Sequence, residues 1–550
     1  MFNRINIFLI FGFVLAGCNG MQPQRDWFRE YGDLPASSAP AEMAPGFYNL
    51  EYGEMEGGPA TPSMRPTFDN SVSTVSVLLP MSGTNAALGT GIKHAIEIAF
   101  LQKQPQNIIV TFNDISGDLA TRTEKIRNVV ERRPSMIIGP IFSEDVAILR
   151  RLKDPEMPAL TFTSSHDVLG DGVFTVALLP HQSVESIIQS ASNNDVNRIT
   201  ILAPDTRAGH MLAAAALEAA GFNNIRVVGL HYYKENDMES QKSVAERAAM
   251  WRPRERASTR AKEILSDALQ NQTLSESEHE NLDAQLTRLN RSDTLGQLPF
   301  DAVLFLGNAA DSKSLASFLR YFDVPAAGVR FLGTAMWDTE LLWRDVTFSG
   351  AEYSALPPTS QDFVRVYSDL HGRAPNRMNS MGYDAAMLAI GALSGNRSVA
   401  AHLLDPSGYS GLDGLVRLRP NGTNERALQI MRLNASGAPR LRTPAARNFI
   451  VPLYQTRIPG NNRPREIEPS DGFNPMDYIA LPPRLLGQYR AQIFRMSGAH
   501  NVDAPTSIAE VITIMPEDDS DEIIAAAPEF QPVPLDTIDR QLVDSVTVTQ

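Results

Sequence analysis

A single cysteine in 550 residues excludes any disulfide within the chain and any metal site built on cysteine ligands. Positive charge is also scarce. With 49 Lys+Arg against 63 Asp+Glu, the formal net charge is -14, which argues against nucleic acid as a general partner. The chain contains no G-x-S-x-G nucleophile elbow and no histidines at metal-ligand spacing. Its nearest approach to a zinc-protease helix, His279 to Asp283, lacks the second histidine. The expectation is therefore a non-enzymatic protein with no cofactor and no metal. Beyond the first twenty residues, no stretch is apolar over the roughly 20 positions that a membrane-spanning helix needs.

The glycine-rich stretch LLPMSGTNAALGTGIKHA at positions 78–95 invites comparison with a phosphate-binding loop. A P-loop lysine is followed by Ser or Thr, so that the hydroxyl can hold magnesium, but Lys93 is followed by His94. Gly83, Gly89 and Gly91 also miss the G-x-G-x-x-G spacing of a dinucleotide site. The stretch reads instead as a strand-to-helix turn, whose glycines either free backbone N–H groups for an anion or simply allow a tight turn.

At the start, Arg4 precedes an apolar run over 5–14, and Leu15-Ala16-Gly17 leads to Cys18. The run is too short to span a bilayer and reads as a secretory signal. Its ending resembles the bacterial lipoprotein lipobox, which implies that Cys18 is acylated and becomes the mature N-terminus. Asn19, where an Asp would favour inner-membrane retention, implies a lipid anchor on the periplasmic side of the outer membrane. Residues 19–70 are rich in Pro, Gly, Ala and Ser and read as a disordered tether. A flexible chain of that length has an end-to-end distance of roughly 40 Å. Residues 456–550, Pro-rich and acidic, read as a disordered tail.

Between these ends, β-branched runs at 74–79, 108–113, 135–138, 159–163, 198–203, 225–230, 301–306 and 329–333 alternate with helical patterns. Near-continuous apolar strands separated by helices predict parallel sheets with right-handed crossovers, an α/β fold. In such sheets a ligand crevice lies beyond the carboxyl ends of the strands. The loops expected there are 80–91, 139–144, 164–167, 204–209, 307–311 and 334–338.

Five short motifs in order carry a family resemblance: Val77-Leu-Leu-Pro-Met-Ser-Gly83, Ile137-Ile-Gly-Pro-Ile-Phe-Ser143, Asp301-Ala-Val-Leu-Phe305, Gly382-Tyr-Asp-Ala-Ala386 and Gly408-Tyr-Ser-Gly411. Together they resemble type I periplasmic binding proteins. The resemblance implies two α/β lobes, parallel sheets with flanking helices, and three interlobe crossings. Lobe one is expected over 71–180 and 334–400, and lobe two over 181–333 and 401–455. The first two motifs are similar to the C-terminal domain of outer-membrane lipoprotein activators of penicillin-binding proteins. That implies control of peptidoglycan synthesis by contact with a synthase. They also resemble branched-chain amino acid and amide receptors, which implies an ABC permease as partner. The lipid anchor leans toward the activator reading, although residues 21–70 are too short and polar for that family's helical-repeat domain.

By the same resemblance, an amino acid-like ligand would meet candidate cleft residues Ser82, Gly83, Ser143, Ser164, Ser165, Thr206, Asn308 and Trp337. Asp311 is the acidic residue offered by lobe two, and Asp167 would repel a carboxylate unless turned away. A charged segment over 234–297 fits none of this and reads as an inserted pair of antiparallel helices. Its basic half, Arg252, Arg254, Arg256, Arg260 and Lys262, is a candidate docking surface for a protein partner.

Overall fold

The computed structural model describes residues 72–434, 437–449, 462–469 and 472–496. The expected signal sequence, Cys18, the expected tether and the remainder of the expected tail lie outside the described residues. The chain divides between Ala480 and Leu481 into two compact units. The second contains one described helix, Pro483–Met496.

In the first unit, β1 (Ser73–Leu79), β2 (Ile108–Asp114), β3 (Met136–Ile138), β4 (Ala159–Thr161) and β5 (Val173–Thr175) form a five-stranded sheet in the order β2-β1-β3-β4-β5. Its pairings are all parallel, with Val75 opposite both Val110 and Met136. Val75, Val77, Leu78 and Leu79 are all buried because helices cover both faces of the sheet. Each such side chain removed from water contributes on the order of 1.5–3 kcal/mol. Helix Ala86–Lys103 buries Ile92, Ala95, Ile96 and Ala99, the stripe its sequence spacing predicts.

The second lobe is built on β6 (Arg198–Pro204), β7 (Arg226–Tyr233), β8 (Ala302–Phe305), β9 (Arg330–Gly333) and β10 (Glu352–Ala355). A small antiparallel sheet follows, from β11 (Tyr409–Gly411), β12 (Gly414–Leu418) and β13 (Asn424–Arg426). The antiparallel pair β14 (Gln429–Asn434) and β15 (Gly437–Thr443) then completes a seven-stranded sheet, β15-β14-β10-β9-β8-β6-β7. The chain passes between lobes three times: from β5 to helix Pro180–Ser192, from β10 to helix Gln361–His371, and from β13 to β14.

Three boundaries differ from the sequence reading. Residues 334–355 belong to the second lobe, because β10 pairs with β9 and β14 and because Trp337 and Phe348 pack into that lobe's core. Residues 409–426 lie against the first lobe, where Thr175 N donates to Gly422 O at 3.0 Å. Within 234–297, helix Met238–Ala248 is the ordinary crossover from β7 to β8 and buries Val244, Ala245 and Ala248 beside Phe305. Only helices Trp251–Ala268 and Glu276–Leu289 form the added hairpin.

Part of the expected tail is also ordered. Ile467 bridges Leu230 on the edge of β7, the ring of Phe473 lies over Gly296, and Ala480 N donates to Gln285 Oε1 at 2.8 Å. A lone isoleucine among charged and proline residues gives no periodic signal, so sequence patterning misses this contact.

Candidate functional site

The glycines of the opening turn serve packing. Gly83 sits at φ +71°, and a Cβ on Gly89 would fall 2.1 Å from the carbonyl oxygen of Pro80. At the end of β2, Asp114 closes this turn. It accepts from Met81 N at 2.8 Å, Ser82 Oγ at 2.6 Å and Ser116 N at 3.0 Å. Burial alone would raise its pKa, but the hydrogen bonds from Ser116, Ser82 and Met81 outweigh it and hold the carboxyl well below the usual carboxylate range. Ser82 therefore donates inward, to a fixed anion.

The other loops are less committed. Ser143 is the exposed first residue of helix Ser143–Leu152. Ser164 is half-buried, and Ser165 donates its N–H to Thr163 Oγ1 at 3.1 Å. Asp167, the residue expected to repel a carboxylate, is answered across the cleft by Arg207 of the second lobe, whose Nη2 donates to its Oδ2 at 2.8 Å. Next to Arg207, Thr206 caps helix Arg207–Phe222, with its hydroxyl accepting from Gly209 N at 3.1 Å.

Three residues offered to the ligand are withdrawn from the cleft. Asn308 is buried as the cap of helix Ala309–Tyr321, accepting from Asp311 N at 2.8 Å and donating to Asp311 Oδ2 at 3.0 Å. Asp311 is further held by Asn236 N at 3.0 Å and Gln241 Nε2 at 2.7 Å, so it does not reach a ligand ammonium. Trp337 is wholly buried, its indole N–H donating to Ser312 Oγ at 3.0 Å and its ring 5.4 Å from Phe305 and 5.0 Å from Phe348. An aromatic residue in a loop beyond a strand suggests a ligand platform, but here the loop folds back over its own sheet.

The basic run of the hairpin is answered internally. Arg254 is buried, donating to Thr294 Oγ1 at 2.9 Å and to Ala249 O at 3.3 Å. It shares the helical stripe of Ala257, Ala261, Ile264 and Ala268, so its guanidinium faces inward. Arg252 pairs with Glu246 at 2.7 Å and Arg260 with Glu263 at 2.8 Å, while Lys262 donates to Ser292 O at 2.8 Å. Arg256 also has a partner. This arrangement leaves no concentrated positive face of the kind the five residues imply in sequence.

Sequence reasoning missed the polar hinge beneath the cleft, where all three crossings are tied together. Arg426 donates its backbone N–H to Gln182 Oε1 at 3.1 Å and its Nε to Val176 O at 3.2 Å. Asn424 donates to Thr175 O at 2.9 Å and Ala177 O at 2.7 Å. Arg377 spans from Pro357 O at 2.7 Å to Asp413 Oδ1 at 2.8 Å, and Asp413 also accepts from Ser380 Oγ at 2.5 Å. Beside them Asp384 accepts from Leu412 N at 2.8 Å, and its Oδ2 has no partner. Burial, reinforced by the charge of Asp413 and opposed by Arg426, pushes Asp384 up to about 7. One signal was available in sequence. The motifs 382–386 and 408–411 meet at this point, and a Cβ on Gly411 would fall 2.2 Å from Asp384 Oδ2.

Among the described residues no group of three or more His, Cys, Asp or Glu could hold a metal ion. A sequence profile of the family described as periplasmic binding protein matches residues 73–438, most of the first unit. The chain belongs to the periplasmic binding protein family. No curated protein matches it in sequence. Among solved structures, it is similar to a putative branched-chain amino acid ABC transporter protein from Rhodospirillum rubrum, at 15% identity and TM-score 0.50, over 68% of this chain and 100% of that one. It is also similar to a leucine-binding protein from Thermotoga maritima, at 16% identity and TM-score 0.43, over 68% and 98%. At 15% identity, the likeness to the Rhodospirillum rubrum protein shows the fold alone. By that description the members of the family are binding proteins.

Proposed function

We propose that this chain is a solute-binding protein of the bacterial envelope that closes its two lobes on a small amino acid-like solute and presents it to an ABC permease. The observation that carries this reading is the Asp167–Arg207 ion pair, which joins a first-lobe loop to a second-lobe helix across the cleft, above a hinge that couples all three crossings. Neutralised by Arg207, Asp167 no longer opposes a carboxylate, and the hydroxyls of Ser143 and Ser164 supply donors on the first-lobe side. The family to which the chain belongs and the ABC receptors that share its fold support this over a synthase activator. Location in the periplasm and anchoring through Cys18 are part of the proposal.

A second reading has one observation in its favour. Ser82 is spent on the anion of Asp114, and Asn308 and Trp337 are consumed inside the second lobe, so three of the eight expected ligand residues are committed elsewhere. A cleft remodelled in this way suits activation of a penicillin-binding protein by contact. Thermal unfolding of the mature chain with individual amino acids and their amides separates the two. A ligand bound only by the folded state stabilises it by about 2.7 kcal/mol at a hundredfold excess over Kd, a rise of several degrees. If no compound raises Tm and the protein stimulates a purified peptidoglycan synthase, the receptor reading fails and the activator reading stands.

A further inference from the structure

The two edges of the seven-stranded sheet are finished differently. At β7, Leu230 N donates to Ile467 O at 2.9 Å and Ile467 N to Leu230 O at 3.1 Å, an antiparallel bridge supplied by the chain itself. The residues flanking that isoleucine are acidic. Glu466 accepts from Tyr232 N at 3.0 Å, and Glu466 and Glu468 meet Arg247 at 3.2 and 2.6 Å. This edge is thus closed by a Glu-Ile-Glu strap laid on an arginine.

At the opposite edge, β15 pairs only with β14 among the described residues. Arg440, Leu441, Arg442 and Thr443 are exposed, Leu441 by 55%. Cross-strand register sets Glu352 beside Arg432 and Arg432 beside Arg440. Glu352, itself buried, lies 3.3 Å from Arg432 and 3.6 Å from Arg442, so one carboxylate serves a face carrying three guanidiniums. Arg442 also donates to Asn194 Oδ1 at 2.9 Å.

An edge strand offers unpaired backbone groups to any extended chain, and proteins protect such edges with charge and proline. Pro439 and the arginines do this against a second copy, since pairing like with like would set arginines against arginines. They do not protect against a strand of opposite charge. We propose that the β15 edge is a docking site for an extended acidic segment of a partner protein, added as a further strand with carboxylates over Arg440 and Arg442 and an apolar side chain against Leu441. The main-chain bonds supply affinity and the arginines supply selection, as the chain's own strap does at β7. This surface is on the outer edge of the second lobe's sheet and stands whichever ligand the cleft takes.

The test uses the full-length protein and a short fluorescein-labelled peptide of alternating glutamate and valine, followed by anisotropy, together with hydrogen exchange at 437–443. The expected result is saturable binding that weakens as salt rises from about 0.05 to about 0.3 M, with slowed exchange along β15. Arg440→Glu with Arg442→Glu should weaken binding by at least about tenfold, while Arg440→Lys with Arg442→Lys retains most of it. A lysine–valine peptide should not bind. Equal binding to the double glutamate variant, or binding without protection at 437–443, overturns the proposal. So does loss of adhesion to phosphatidylglycerol vesicles in the glutamate variant without any peptide binding by the wild type, which assigns the arginines to a membrane surface.

Discussion

Replacing Asp384 with Asn tests the hinge through its dependence on pH. In the folded protein, burial raises this carboxyl from an ordinary 3.8 to about 7, whereas in the unfolded chain it titrates near its ordinary value. Between these two values the folded state holds a proton that the unfolded state has lost, so stability falls as pH rises. The contribution is fully present below about pH 4 and lost by the time pH passes 7. A shift of about three units at about 1.4 kcal/mol per unit corresponds to on the order of 4 kcal/mol, an upper figure because Asp413 and Arg426 share the site. Asp145, pushed up to about 6, and Glu185, pushed up to about 8, slope in the same direction. They are common to both proteins, so the difference between wild type and variant isolates Asp384. Urea unfolding at intervals from pH 4.5 to about 8 should show the wild type losing stability relative to Asp384→Asn by up to a few kcal/mol. Parallel profiles would mean that Asp384 is charged and compensated throughout, and that the hinge network has been misread.

Other substitutions separate structural from functional residues. Trp337→Ala should destabilise the protein by about 3–5 kcal/mol, seen as a lower urea midpoint, because a fully buried indole and its bond to Ser312 are lost. A residue on the cleft surface would cost far less. Arg254→Ala should cost about 2–4 kcal/mol, since it removes the buried bonds to Thr294 and Ala249 and opens a cavity, whereas Arg252→Ala should stay within about 1 kcal/mol. Equal effects in calorimetry would contradict the inward orientation of Arg254. Cys18→Ser should leave the precursor unprocessed at that position and release the protein from the outer-membrane fraction. Normal fractionation of the variant would remove the lipid anchor from the account.

Much of the sheet architecture was legible because buried parallel strands announce themselves. β1 to β4 and β6 to β9 are short apolar runs between helical patterns, and every one coincides with an expected run to within a few residues. β5 and β10 were missed because three or four residues carry no measurable period, and β14 and β15 because an exposed antiparallel hairpin alternates only weakly. The loops beyond the strands were also legible, but not the direction of their side chains. Ser82 faces Asp114 and Asn308 faces Asp311 through contacts that tertiary packing decides. Arg254 is the instructive case. Beside its neighbours in sequence it looks like part of a basic patch, yet counted in steps of three and four it falls on the stripe of Ala257, Ala261 and Ile264.

On the receptor reading, the cleft holds a solute between lobes latched by Asp167 and Arg207. Isothermal titration calorimetry of the mature protein against individual amino acids and amides tests this most directly. The account predicts that at least one compound binds with one-to-one stoichiometry, and that Ser164→Ala and Arg207→Ala each weaken it by about tenfold or more without lowering the folded fraction. Absence of heat with every compound, or binding indifferent to both substitutions, would contradict it.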